Sequence, residues 1–283
     1  MSIVSASPPL ATLTALLPRY DALLLDAYGV LVDGSGALDG AAGLIERLNL
    51  SGKPYRVVTN DASRTEESTA ARFAALGLDV PADRIVTSGG LLAAHFAAQG
   101  LGGLRCAVLG PEDSRAYVER AGGRVVPPRA PFDVLVIGDE SGFEPFLGTV
   151  NDALSTLLNR LDAGHEVRLV LPNPDLIFPS GPEAVGIAGG ALAALFEAVL
   201  EQRYAHSPGL RFYRLGKPFP ALFEQAAAAL ETRNLLMIGD QLDTDIAGAA
   251  AFGIDSALYL RGIARKSRMP SGPRPTYLLE RLD

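Results

Sequence analysis

The chain has 283 residues, nearly half of them apolar and about a fifth charged, which is enough for one sizeable core or two coupled α/β units and excludes a disordered chain. A net charge of -7 with no compensating Lys/Arg cluster argues against nucleic-acid and anionic-membrane partners, though a single pocket lysine can still hold a phosphorylated small molecule. One cysteine, Cys106, lies inside the apolar run Leu104–Leu109 and reads as a buried strand residue, so no disulfide framework exists within the chain.

Taken in chain order, residues Met1 to Leu17 lack a basic leader segment, and a cytoplasmic protein is expected. Short β-branched or leucine runs then alternate with alanine-rich helical patterns, the signature of a mainly parallel α/β sheet. The runs predict strands at Ala22–Asp26, Tyr55–Thr59, Arg105–Leu109, Val134–Ile137, Val167–Leu171, Leu235–Ile238 and Ser256–Leu260. Helices are predicted at Gly40–Leu50, Glu66–Leu76, Leu91–Gln99, Ser114–Ala121, Phe146–Leu161, Ile187–Gln202, Ala221–Leu230 and Asp245–Phe252. The longest apolar stretch, Ala184 to Phe196, is too short to span a bilayer and reads as a buried helix. Thr87-Ser88-Gly89-Gly90 and His206-Ser207-Pro208-Gly209 look like joints, so residues 1–88 and 209–283 are expected to form one domain and residues 89–208 a second, inserted one.

Ligands of open α/β sheets sit beyond the carboxyl ends of the strands, so the residues just past each run matter most. Leu23-Leu24-Leu25 is followed by Asp26-Ala27-Tyr28-Gly29, Arg56-Val57-Val58 by Thr59-Asn60-Asp61, and Leu236-Met237-Ile238 by Gly239-Asp240, with Asp243 and Asp245 just beyond. A lysine stands in Gly216-Lys217-Pro218, where Pro218 fits the first position of a helix. Carboxylates, a hydroxyl, an amide and one ammonium suit a divalent cation and a phosphate. Taken singly each has a plainer reading. Asp26 could cap a turn, Thr59 could merely end a strand, and Asp243 could either support a metal ligand or be a solvated acid at a helix start. Ser63-Arg64-Thr65-Glu66 reads as a capping box, with Ser63 the cap.

Together, Asp26-x-x-Gly29-Val30, Thr59-Asn60, Lys217 and Gly239-Asp240-x-x-x-x-Asp245 resemble the four motifs of the haloacid dehalogenase superfamily, in order, from about Pro18 to Ala264. The finer text, including Asn173-Pro174-Asp175, is similar to the class IIA, NagD-like phosphatases of sugar phosphates, nitrophenyl phosphate and pyridoxal phosphate. The resemblance implies a Rossmann-like parallel-sheet core with an inserted α/β cap. It implies Mg2+ held by Asp26, the backbone of Tyr28, Asp240 and Asp245, and catalysis by Asp26, Tyr28 and Lys217. Phosphate would bind at Thr59, Asn60 and Lys217. Asn173, Asp175, Ile177 and Phe178 would form a specificity loop on the cap, a segment that could equally be a rigid proline-stiffened turn. The substrate would be a small phosphorylated metabolite such as a sugar phosphate, and the chain would form a homodimer through the cap.

One position departs from that pattern. Superfamily phosphatases usually carry a second Asp two residues after the nucleophile, as general acid–base; here the residue is Tyr28. A phenol near pKa 10 can donate a proton but is a poor base at neutral pH, and general acid–base catalysis is worth about a hundred- to ten-thousand-fold. The resemblance therefore leaves two further readings open: a phosphate-binding protein with weak hydrolysis, and a hydrolase of carbon–halogen bonds, whose branch also carries Asp-x-Tyr. Gly138-Asp139-Glu140 imitates the metal motif but lacks its downstream Asp. Gly34-x-Gly36 lacks the third glycine of a dinucleotide fingerprint, Gly216-Lys217 lacks the rest of a phosphate loop, and His95, His165 and His206 have no metal spacing.

Overall fold

The computed structural model describes residues 8–181, 184–205, 209–262 and 273–282. Numbered along the chain, its strands are β1 Ala22–Leu25, β2 Tyr55–Thr59, β3 Ile85–Thr87, β4 Arg105–Leu109, β5 Arg124–Val126, β6 Val134–Ile137, β7 Arg168–Leu171, β8 Ile177–Gly181, β9 Ala184–Ile187, β10 Tyr213–Arg214, β11 Leu235–Gly239, β12 Asp255–Tyr259 and β13 Tyr277–Leu279. They form a six-stranded sheet in the order β13-β12-β11-β1-β2-β3, a five-stranded sheet in the order β10-β7-β6-β4-β5, and the two-stranded hairpin β8-β9. Every pairing in the two larger sheets is parallel, and only the hairpin is antiparallel.

Covering a parallel sheet with helices on both faces buries every side chain of its central strands, which is why β1, β6 and β11 read as unbroken apolar runs. Leu25 of β1 is level with Ile238 of β11 and with Val57 of β2. In a parallel sheet that register brings Asp26, Thr59-Asn60 and Gly239-Asp240 out at one edge, side by side. The first sheet is therefore made from both ends of the chain and the second from its middle. One apolar cluster joins them, with Leu24, Val58 and Met237 from the first sheet and Cys106, Val108 and Val136 from the second meeting Phe96 of the helix Leu91–Gln99. Cys106 is buried and free, and burial pushes its thiol up to about 11. Among the described residues no helix is long and apolar enough to cross a membrane.

Most predicted elements stand within two residues of their expected ends, and the exceptions have physical causes. The expected buried helix over Ala184–Phe196 starts at Gly189 instead, and Ala184–Ile187 forms β9. There Gly186 faces Phe178 across the hairpin, and a Cβ at Gly186 would come 2.5 Å from the Phe178 ring, so the aromatic lies over the glycine. The short strands β3, β5, β10 and β13 and the single helical turn Leu13–Leu16 were too brief to stand out as periodic runs, and β8 was hidden by the proline, serine and glycine within it. The expected domain boundary at 208/209 touches residues 206–208, outside those described, as do His206 and Ala264. The second sheet continues past that boundary, because β10 pairs with β7.

Candidate active site

At the C-terminal edge of the first sheet, Asp26, Asp240 and Asp245 each offer a carboxylate oxygen within 4.8 Å of the others, all three residues buried. Lys217 Nζ donates to Asp26 Oδ1 at 2.6 Å and to Asp245 Oδ1 at 2.7 Å. Ala27 N also donates to Asp26 Oδ1, at 2.8 Å. Asp245 Oδ2 accepts from the backbone N–H groups of Asp240 and Gln241, at 3.1 Å each, which ties the last motif to the end of β11. The backbone closes tightly round these acids: Gly29 has a φ of +90°, and a Cβ there would come 2.2 Å from Asp240 Oδ2. Only glycine satisfies both the turn and the approach.

Three buried carboxylates face one buried ammonium. Burial and the charge of Asp245 hold the Asp26 carboxyl well above the usual carboxylate range, against the pull of Lys217. Burial alone would lower the Lys217 ammonium, but Asp245 and Asp26 outweigh it and push it up. A cluster so short of positive charge, built only of oxygen donors, fits a hard divalent cation.

Lys217 is itself positioned by Asn60, whose Oδ1 accepts from Lys217 N at 2.7 Å while its Nδ2 donates to Lys217 O at 3.0 Å and to Asp175 Oδ1 at 2.8 Å. The Asn60 side chain is thus engaged as a clamp between the core and the second sheet, which leaves its backbone rather than its amide for a phosphate. Burial lifts Asp175 to about 6, against the opposing effects of Lys217 and Asn60.

A cavity of about 160 Å³ opens above Asp26. Its lining comes from the ends of both sheets: Asp26 and Tyr28 after β1, Thr59, Asn60, Asp61, Ser63 and Arg64 at β2, Gln241 after β11, Asp139, Glu140 and Ser141 after β6, Asn173 and Asp175 after β7, and Phe178 of the hairpin. Two parallel sheets therefore point their C-terminal edges at one space. Of the four expected cap residues, Asn173, Asp175 and Phe178 line the cavity; Ile177 does not, and its side chain is 41% exposed. Asn173 Oδ1 accepts from Asp175 N at 3.0 Å, shaping the turn that delivers Asp175 to Asn60. Tyr28 lies at the cavity wall with its hydroxyl held by Arg72 Nη1 at 2.9 Å.

Other readings change with the fold. Thr65, not Ser63, caps the helix Glu66–Ala75, its Oγ1 accepting from Ser68 N at 3.2 Å, and Ser63 Oγ donates to Asp61 Oδ1 at 2.6 Å instead. Pro220 rather than Pro218 takes the first position of the following helix. Asp243 is exposed, in keeping with a solvated acid. His95 stacks on Tyr213, with ring centroids 4.5 Å apart, and His165 is exposed. Asp139 and Glu140 stand apart from the three-acid cluster, yet they line the same cavity. They stand just past the carboxyl end of β6, where the sequence shows them as an imitation of the metal motif without its downstream Asp; their place on the cavity wall depends on the docking of the second sheet.

A haloacid dehalogenase-like hydrolase model matches residues 23–124, and a second, HAD-hydrolase-like model matches residues 214–283. The chain is 30% identical to human chronophin over 269 residues, covering 90% of this chain and 86% of that one. The chain belongs to the haloacid dehalogenase-like hydrolases. Among solved structures, a "possible sugar phosphatase, HAD superfamily" from Cytophaga hutchinsonii superposes with a TM-score of 0.84 at 30% identity, covering 98% of this chain and 99% of that one. The glycerol phosphate phosphatase of Mycobacterium tuberculosis, solved in complex with magnesium, gives a TM-score of 0.77 at 27% identity and covers 96% of this chain and 77% of that one. Within the superfamily this chain is a class IIA hydrolase of the phosphatase type, a core with an inserted α/β cap.

Proposed function

We propose that this hydrolase is a magnesium-dependent phosphatase that transfers the phosphoryl group from a phosphate ester of a small, otherwise uncharged polyol or sugar to Asp26 and then to water. The observation that carries the reading is the convergence of Asp26, Asp240 and Asp245 around Lys217, with Asp26 also lining the cavity between the two sheets. A phosphoryl group approaching Asp26 is an anion approaching an anion, which costs about 4 kcal/mol at 4 Å and an effective dielectric near 20. Magnesium, held by Asp26, the Tyr28 backbone, Asp240 and Asp245, would supply the missing positive charge and polarise the phosphoryl oxygens.

The protein's own groups do the rest. Lys217 holds Asp26 in place and offsets the charge that develops on the transferred group. Thr59 Oγ1 accepts from Asp61 N at 3.1 Å and so keeps its own proton available for a phosphoryl oxygen. An Asp26 oxygen bonds phosphorus as the ester bond breaks, and water then bonds phosphorus as the bond to Asp26 breaks. The leaving-group side of the cavity carries Asp61, Asp139, Glu140 and Asp175 against Arg64, with Ser63, Ser141 and Phe178 between them. Such a wall accepts hydrogen bonds from hydroxyl groups and repels a second anion. The names of the sugar and glycerol phosphate phosphatases it resembles support the same substrate class.

Phosphate release from glycerol phosphate and from phosphoglycolate, with magnesium or with chelator, tests this. Magnesium-dependent turnover that vanishes in Asp26→Asn is expected, with glycerol phosphate favoured at least about tenfold in kcat/KM. Equal rates in the wild type and Asp26→Asn would remove the reading; calorimetric binding without release would favour a phosphate-binding protein, and metal-independent halide release a dehalogenase. A homodimer through the cap is proposed from the resemblance alone, and sedimentation of the chain checks it.

A further inference from the structure

Hydrolysis of an alkyl phosphate needs a proton for the departing alkoxide and a base for the attacking water. Tyr28 is poorly placed for either. Arg72 holds its hydroxyl at 2.9 Å and lies 5.1 Å from the ring centroid, while Phe178 packs edge-on with centroids 6.3 Å apart.

The other acids of the cavity are mostly engaged. Asp61 Oδ1 accepts from Ser63 N and Oγ, at 2.7 and 2.6 Å, and its Oδ2 pairs with Arg64 at 3.2 Å. Asp139 Oδ1 accepts from Ser141 N and Oγ, at 3.0 and 2.5 Å. Asp175 holds Asn60. Glu140 differs: it lines the same cavity as Asp26, and among the described residues its carboxyl meets no other side chain in a hydrogen bond or ion pair.

Its loop is firmly docked. Gly138 N and Asp139 N both donate to Leu109 O, at 2.8 and 3.2 Å. Beneath them Ser114 Oγ donates to Ala62 O at 2.7 Å, joining the second sheet to the loop after β2. A Cβ on Gly138 would come 2.6 Å from that Ser114 Oγ, so a glycine is what lets the loop settle there.

We propose that Glu140, reaching in from the cap, is the catalytic acid–base that stands in for the missing carboxyl at position 28. The assignment rests on the phosphatase reading of Asp26. As an Asp26 oxygen bonds phosphorus and the ester P–O bond breaks, the Glu140 proton passes to the departing oxygen, giving a neutral alcohol and an ionised Glu140. Glu140 then takes a proton from the water whose oxygen bonds phosphorus, while the bond to Asp26 breaks and its electron pair returns to the carboxylate. Burial, with Asp139 on its own loop and Asp61 on the loop after β2, pushes Glu140 up to about 7, so both forms are populated at neutral pH. The other charged and titratable groups of that cavity are Arg64, Tyr28, Asp175 and Asp26.

Glu140→Gln, compared with wild type on glycerol phosphate and nitrophenyl phosphate, tests this. For glycerol phosphate, kcat is expected to fall about a hundred- to ten-thousand-fold, and the pH–rate limb near 7 to disappear. Nitrophenolate leaves without a proton, so the variant should still release it in a stoichiometric burst and accumulate phosphoenzyme. Adding Tyr28→Asp to Glu140→Gln should restore glycerol phosphate turnover. An unchanged pH profile, or an equal loss on both substrates that includes the burst, overturns the role of Glu140 while leaving Asp26 as nucleophile. A wild type that releases phosphate from neither substrate overturns both.

Discussion

Asp26, Lys217 and Asn60 show how single residues act beyond their own chemistry. The lysine is almost fully buried, which no sequence pattern states, because its ammonium lies between two carboxylates that would otherwise be intolerable there. Asn60 spends its amide on both backbone groups of Lys217 and on Asp175, so one side chain sets the position of the cation and ties the second sheet to the first. The half-buried Glu140 also bears on stability. Its carboxyl rises from an ordinary 4.5 to about 7 in the folded protein. Below pH 4 the folded and unfolded chains both hold the proton, so the residue is neutral to stability. Between about 4.5 and 7 the unfolded chain releases the proton more readily, and stability falls as pH rises. Glu140→Gln should therefore raise the Tm at pH 8 and leave it nearly unchanged at pH 4, which thermal melts at the two values would check.

At the scale of elements, the helix Glu112–Arg120 fastens the second sheet to the core. Ser114 bonds Ala62 O, Asp113 Oδ2 accepts from Thr65 N at 2.9 Å, and Tyr117 reaches both Arg64 O at 2.8 Å and Thr87 Oγ1 at 2.7 Å. Gly89 at the joint leaves room for this tyrosine, since a Cβ there would meet its ring at 2.3 Å. Tyr117→Phe would strip a partner from the half-buried Arg64 carbonyl and from the buried Thr87 hydroxyl, and should cost about 1–3 kcal/mol in urea unfolding. It should also raise KM for glycerol phosphate more than it lowers kcat, because the cavity wall moves while Asp26 and Lys217 stay; an unchanged KM would deny the helix that role. The hairpin β8–β9 is the element the sequence hid. Its apolar residues Val185 and Ile187 are exposed, so the run from Ala184 suggested a buried helix that begins only at Gly189. A strand pair stands there because Phe178 packs on Gly186 from across the hairpin and on Tyr28 from the core.

Across the whole molecule, the two sheets behave as a charge trap with a polar lid. The core contributes a cluster of three buried acids, of which Asp26 lines the cavity, and the second sheet adds Asp139, Glu140 and Asp175 to the cavity walls. A cation that binds only the folded chain stabilises it by linkage, about 2.7 kcal/mol at a hundred times its Kd. Magnesium should therefore raise the Tm and a chelator reverse the rise. Asp240→Asn removes one negative charge from the cluster, so it should melt higher than wild type in chelator and lose most of the magnesium-dependent shift. If the variant keeps the full shift, Asp240 is not part of the cation site.

The sequence by itself determined the alternation of strands and helices, the ends of the main strands, the identity of Asp26, Thr59 and Asp240 at those ends, and Lys217 and Asp245 as the charged residues of nearby segments. These were legible because apolar runs and the polar residues that interrupt them are local, and a parallel sheet collects strand ends at one edge. Only the tertiary structure decided which groups are spent on one another and which remain available. Asn60 became a clamp, Tyr28 was claimed by Arg72, and Glu140 was left without a side-chain partner on the wall of the cavity that Asp26 also lines, because each outcome depends on contacts between segments far apart in the chain.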